Sequence, residues 1–347
     1  MLDWPLHLAV TKIVVRMDSD WDRSNLLALL QAETPRWDVI LERMWDKPEE
    51  TFLVDPATGL STLHYAITRR NTSKDLSKTV AVVKGIAKAN PAAAVSKCLH
   101  QGYTPLAYCC HSESLDKDDL ARDAEILAAL HECNPEAIKN PSKKKQYPLA
   151  IHITAVSRLH FVKPRSPPAQ DTFSSPVFDV LLENSEQEHM EQAVHTLFAC
   201  NTRDVFHHVS VEEIWARKKL PPRDLSGWFV WDILCRVLRA YHYCLHAGRH
   251  VTFNTLHTLT MITDCPTAFL LLGMYSAPSD VLLKEASAGN LPIHNVASWE
   301  LDDEEESTCR KSMSWATLLT VCPESVDVKN DFGETAYDAQ EKSGSYL

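Results

Sequence analysis

The stretch YHYCLHAGRH holds four side chains able to ligate a metal, His242, Cys244, His246 and His250. Two histidines four residues apart share one face of a helix and can hold zinc. Cys244 points away from that face, and no third ligand follows at metal-finger spacing. The simpler reading is a helix end, where cations favour the C-terminal dipole. A second set lies in CLHQGYTPLAYCCH: Cys98, His100, Cys109, Cys110 and His111. Its spacing matches no zinc finger, and buried free cysteine behaves as a small hydrophobe. There is no phosphate loop, dinucleotide-binding glycine pattern, nucleophile elbow or His-Glu-x-x-His. The expectation is a chain that is not an enzyme, with no catalytic residue, metal or cofactor. The alternative is an enzyme or metal-binding protein with its site between 160 and 250. A third histidine, His64, sits in DPATGLSTLHYA, behind a glycine turn and at the start of a helical run. Whether it serves chemistry or architecture depends on the elements that position it.

Those elements repeat. Leu63, Leu106, Leu149, Ile293 and Tyr337 follow one another at spacings of 43, 43, 144 and 44. Pro48, Pro91, Pro135, Pro278 and Pro323 each lie 14 or 15 residues earlier and keep the same period. An apolar run ends at each proline, as in TVAVVKGIAKANP, DAEILAALHECNP and WATLLTVCP. Its apolar residues recur at i, i+3 and i+4, one helix face. The residue before proline avoids the helical region, so the helix stops there. A turn and a shorter helix follow. One such unit cannot bury both helices alone, so neighbours must stack as a solenoid.

GLSTLHYA, GYTPLAYC and GNLPIHNVA resemble the Gly-x-Thr-Pro-Leu-His-x-Ala motif of ankyrin repeats. GETAYDA resembles the variant of a last ankyrin unit, and DWPLHLAV (3–10) and FNTLHTL (253–259) resemble degenerate copies. The unit is about ten residues longer than the usual ankyrin period of ~33. The chain is thus similar to the divergent ankyrin-like families abundant in diatoms and related algae. Each motif position has a physical role. The turn glycines supply positive φ. Ser61, Thr104 and Thr335 cap a helix. Pro105, Pro148 and Pro292 fit the first helical position. His64, His257 and His294 bond the cap and the neighbouring turn, which makes them structural. Units with Ala107, Ile151 or Asp338 at that place must find other bonds.

The expected fold is all-α: an ankyrin-like helical-pair solenoid with an irregular, enlarged middle section. Residues 1–34 form an N-terminal cap or degenerate first repeat, and 35–160 ankyrin-like repeats. Residues 161–250 form an irregular or inserted helical section, and 251–347 the C-terminal repeats and cap. Within the middle, VKPRSPPAQDTFSSP reads as a loop, SVEEIWARKKL as a helix capped by Ser210, and DLSGWFVWDILCRVLRAYHYCLHAG as a buried helix. Ser166-Pro167 and Ser175-Pro176 are candidate phosphorylation sites. The loops between the two helices of a unit are polar, and the acidic run Asp302–Glu306 reads as solvated.

The chain has 347 residues and a formal net charge of −11, which disfavours nucleic acid as a partner. The longest apolar stretch, TAFLLLGMY, is too short for a membrane span. Ten scattered cysteines without a secretory signal point to a reducing compartment, cytoplasmic or nuclear. The function that the resemblance implies is a protein–protein interaction scaffold or adaptor, a monomer binding another protein. Its contact residues are expected in the turns and just before the first helix of each unit: Leu60, Gln101, Tyr103, Gln146, Asn290, Phe332 and Glu334.

Overall fold

The computed structural model describes residues 25–72, 75–111, 117–162, 175–201, 227–246, 251–300 and 305–343. Among these residues it is all-helical, with fifteen α-helices, six short 3-10 helices and no strand. The helices are α1 (Leu26–Gln31), α2 (Trp37–Asp46), α3 (Thr62–Thr68), α4 (Leu76–Ala89), α5 (Pro105–Cys110), α6 (Lys117–Cys133), α7 (Pro148–Val162) and α8 (Pro176–Glu183). They continue as α9 (Gln187–Asn201), α10 (Gly227–Leu245), α11 (Thr255–Met261), α12 (Thr267–Ser276), α13 (Pro292–Ala297), α14 (Glu305–Val321) and α15 (Ala336–Lys342).

The helices form pairs that contact in series. First helices α1, α3, α5, α7 and α9 touch in succession, and so do second helices α2, α4, α6, α8 and α10. The series passes from α10 to α11, then runs α11, α13, α15 on one side and α12, α14 on the other. Each second helix ends as its sequence dictates. Asn90 has φ −137° and ψ 76°, outside the helical region, and Pro91 opens a 3-10 turn. The same stop recurs at Pro48, Pro135, Pro278 and Pro323.

Packing follows the 3.6-residue period. In α4, Val82, Val83 and Ile86 are fully buried, as are Ile126, Leu127 and Leu130 in α6. Each such aliphatic side chain contributes on the order of 1.5–3 kcal/mol by leaving water. Where two series meet, Phe198 of α9, Trp231 of α10 and Phe269 of α12 join. The Phe198–Phe269 ring centroids are 5.5 Å apart and the Trp231–Phe269 centroids 6.2 Å.

Among the described helices between 161 and 250, α8 contacts α6 and α7, and α9 contacts α7 and α10. Residue 34 lies between α1 and α2, which contact each other. One expectation changes. Helix α10 buries one face, through Val230, Ile233, Leu234, Val237 and Leu238, while Tyr243 is 68% exposed. It is α12 whose residues Phe269 to Met274 are buried in unbroken succession. DWPLHLAV, Ser166, the run capped by Ser210, His250 and the acidic run Asp302–Glu304 lie outside the described residues.

Candidate functional site

Before α3, α5, α7, α13 and α15 the chain makes a tight turn closed by a backbone bond. Asp55 N donates to Leu60 O, Cys98 N to Tyr103 O, Ser142 N to Gln146 O, Glu285 N to Asn290 O and Asn330 N to Glu334 O. An isolated antiparallel bridge, Val54 to Ser61, is the nearest approach to a strand among the described residues. The turns stack on one another. Leu99 N donates to Thr58 O at 2.9 Å, Lys143 N to Gln101 O at 3.1 Å and Asp331 N to Ala288 O at 2.9 Å. Lys97 and Lys284, at equivalent places, each reach a carbonyl of the next unit, Pro141 O and Lys329 O.

The backbone at the turn tip is left-handed, φ +66° at Gly102 and +80° at Gly333. In the turn before α7 that position is Lys145, with φ +57°. The side chain that opens each turn accepts bonds from within it. The Asp55 carboxylate takes the Tyr65 hydroxyl and the Ala57 amide. Asn330 Oδ1 takes the Phe332 and Glu334 amides. Cys98 occupies the same position, and Tyr108 donates to its sulfur at 3.6 Å. Burial alone would raise the Cys98 thiol, but Tyr108 and the turn amides outweigh it and hold it below its ordinary value.

His64 answers to architecture. It is fully buried; its Nδ1 accepts from Ser61 N at 3.1 Å, so Nε2 carries the proton and donates to Tyr103 O of the next unit at 3.1 Å. His294 repeats the arrangement, with Leu291 N on Nδ1 and Glu334 O on Nε2, each at 3.1 Å. His257 bonds Leu283 O rather than the carbonyl before the next cap. Burial drives the His64 pKa down to about 4 and lowers those of His257 and His294. In the last unit Asp338 takes the histidine's place and closes the capping box, accepting from Thr335 N at 2.7 Å. In the α7 unit the third helical position is Ala150, one residue before the expected Ile151, and His152 bonds Cys110 O and Ser175 Oγ instead.

The seven expected contact residues fall on two lines. Leu60, Tyr103, Gln146, Asn290 and Glu334 each immediately precede a helix cap, and Gln101 and Phe332 each precede the turn glycine. Their backbones are occupied by the turn bonds. Phe332 is 73% exposed. Asn290 accepts from Asn330 Nδ2 at 3.0 Å, and Glu334 pairs with Lys342. Leu60 and Gln146 are half-buried in their turns. Gln101 and Tyr103 come together in a cleft of about 250 Å³ with Thr68, Asn71, Tyr108 and His111. The Tyr103 and Tyr108 rings meet edge to face at 5.4 Å.

Arg70 also lines this cleft and roots it in the core. Its guanidinium forks onto Asp123 of α6, Nε to Oδ1 at 2.7 Å and Nη2 to Oδ2 at 3.0 Å, and its Nη1 reaches Ile67 O. Arg122 contacts the same carboxylate and pairs with Asp119. Two cations and two carboxylates thus balance where the 3-10 turn after α3 reaches α6. Sequence reasoning missed this cluster; its partners lie 53 residues apart and read singly as surface charge. It also missed His189, whose Nδ1 accepts from Glu186 N at 3.1 Å as His64 does from Ser61. The histidine at the third helical position, followed by Met190 and Ala193, was the available signal.

The other candidates for chemistry are separate from the cleft. The His242 and His246 rings lie 4.3 Å apart, but among the described residues no group of three metal-ligating side chains occurs. Ser175 is not a solvent-facing phosphorylation site. It is fully buried, caps α8 by accepting from Phe178 N, and contacts His152. The cysteines with described side chains are free thiols, Cys109 and Cys110 among them fully buried. Among the described residues no helix is long and apolar enough to cross a membrane. No protein-family model matches the chain, and no curated protein matches it.

Proposed function

We propose that the chain is an ankyrin-like solenoid that acts as a protein–protein interaction scaffold or adaptor. The observation that carries this reading is the stacking of successive turns. It lines up side chains at the positions before the caps and before the turn glycines, with their backbones already satisfied. Such a surface can be extended over several units without a deep catalytic pocket, and fold alone does not decide between functions. On this reading the chain works as a monomer without a cofactor, in a cytoplasmic or nuclear compartment, and its partner is another protein. Gln101 and Tyr103 with Asn71 and Tyr108 offer amides beside aromatic rings, a composition suited to anchoring a protein partner. Phe332 offers a second exposed ring near the C-terminal end of the line.

A photo-crosslinking amino acid placed at Gln101, and separately at Glu132 on the exposed side of α6, tests the reading in cells. A defined protein adduct from Gln101, absent from Glu132 and lost with Tyr103→Ala plus Phe332→Ala, is the expected result. The same adducts from both positions would remove the turn line as the interaction face.

A further inference from the structure

Besides the backbone bonds between turns, imidazoles join one unit to the next. His64 joins the α3 unit to the turn of the α5 unit through Tyr103 O, and His294 joins the α13 unit to the last turn through Glu334 O. His152 does the same between Cys110 of α5 and Ser175 at the cap of α8. In the first two, Nδ1 is filled by a backbone N–H donor. An imidazolium carries a proton on both nitrogens. Protonation therefore sets donor against donor at Ser61 N and at Leu291 N, and places a charge in a buried, hydrogen-bonded site. We propose that the coupling between neighbouring units is acid-labile: protonation of His64 and His294 releases the bond from each cap residue's backbone N to the imidazole and parts the turn that follows. This inference holds whatever the partner of the turn line, and makes that surface sensitive to acidification.

The groups facing these rings fit the assignment. Around His64 stand Ser61 on its own helix and Tyr103 and Tyr108 from the next unit, the Tyr108 ring edge-on at 5.6 Å. Around His294 stand Lys284, which disfavours a second cation, and Glu334, whose carboxylate is engaged by Lys342. His152 feels Asp123, but that carboxylate is held by Arg70 and Arg122. Burial holds all three below the ordinary histidine value, to about 4 for His64 and His152. A ring released into water regains its ordinary affinity for a proton, so the opened form binds protons first. Stability is then fully present above about pH 6.5 and is lost as pH falls toward 4. Between pH 7 and pH 5 the opening constant rises about 20-fold for a histidine with the pKa of His64.

The test uses the full chain. Imidazole nitrogen shifts are followed by NMR from pH 8 to pH 4, and amide exchange in 98–104, corrected for its intrinsic pH dependence, is compared with α4 at pH 7 and 5. The expected result is His64 neutral to below pH 5.5 and His294 titrating below the ordinary histidine value, with 98–104 opening faster at pH 5 while α4 stays protected. His64→Gln keeps an acceptor for Ser61 N and a donor for Tyr103 O but does not titrate, so it should remove most of the extra opening at 98–104. Titration of His64 near 6.5, or acid opening of equal size in wild type and His64→Gln, overturns the proposal. If His64→Gln fails to fold, the wild-type titration and exchange decide it alone.

Discussion

Replacing one turn glycine with alanine at two places separates the stacking of turns from the shape of a single turn. Gly102 and Gly333 both have left-handed backbone, φ +66° and +80°. An alanine pays about 1 kcal/mol for that conformation at either site. The surroundings differ. A Cβ on Gly102 would lie 2.9 Å from the backbone N of Lys143 and 2.5 Å from its Cγ, whereas a Cβ on Gly333 meets nothing within 4 Å. The lysine side chain can move aside, but the backbone N cannot without breaking its bond to Gln101 O. Losing that bond costs about 1 kcal/mol, and displacing a packed backbone a further 1–3 kcal/mol or so. Gly102→Ala should therefore destabilise the chain by about 3–5 kcal/mol and Gly333→Ala by about 1 kcal/mol. Urea unfolding followed by tryptophan fluorescence measures both. Equal losses of about 1 kcal/mol would refute the reasoning, because the turns would then not bear on one another.

Lys145→Gly relieves a left-handed lysine at the equivalent tip, and urea unfolding should show a gain of about 1 kcal/mol. Asp123→Asn leaves two buried arginines sharing one neutral amide; the same assay should show a loss of about 3–5 kcal/mol. Phe269→Ala empties the fully buried ring position that joins α9 and α10 to α12. It should cost about 3–5 kcal/mol and, by weakening the coupling of α11–α15 to the rest, split thermal unfolding into two steps in calorimetry; a single undivided transition would speak against that role. Tyr103→Ala with Phe332→Ala should abolish the crosslink from Gln101; Phe332→Ala alone should leave the melting temperature nearly unchanged, since its ring is mostly exposed, whereas Tyr103→Ala should lower it by losing the packed contact with Tyr108.

The helix stops, turn tips and caps were legible where local chemistry is strong. Proline after Asn90 or Cys322, glycine at 102 and 333, and Ser61, Thr104 or Thr335 as caps are positions where few residues serve, so their types announce the geometry. The α1–α2 pair was overlooked because Asn25 caps α1 without a glycine or proline corner. The pair α9–α10 was read as irregular because Glu186 replaces the hydroxyl cap and the segment between the two helices is long, which breaks the period. Of the surface, the two lines of turn positions were visible from register alone. The cleft at Gln101 and Tyr103 was not, because three of its lining residues, Thr68, Arg70 and Asn71, come from the preceding unit. Arg70 is held there by Asp123, a residue 53 positions away that no local pattern connects to it.

The turns before α3, α5 and α7, and those before α13 and α15, are bonded edge to edge. Site-resolved amide exchange by NMR at neutral pH reads this bonding at Leu99, Lys143 and Asp331, the three amides that donate to the preceding turn. The account predicts that all three exchange far more slowly than the exposed amides of the same turns, and that Lys143 alone loses most of its protection in Gly102→Ala. Exchange of all three at the unprotected rate, with α4 and α6 still protected, would contradict it.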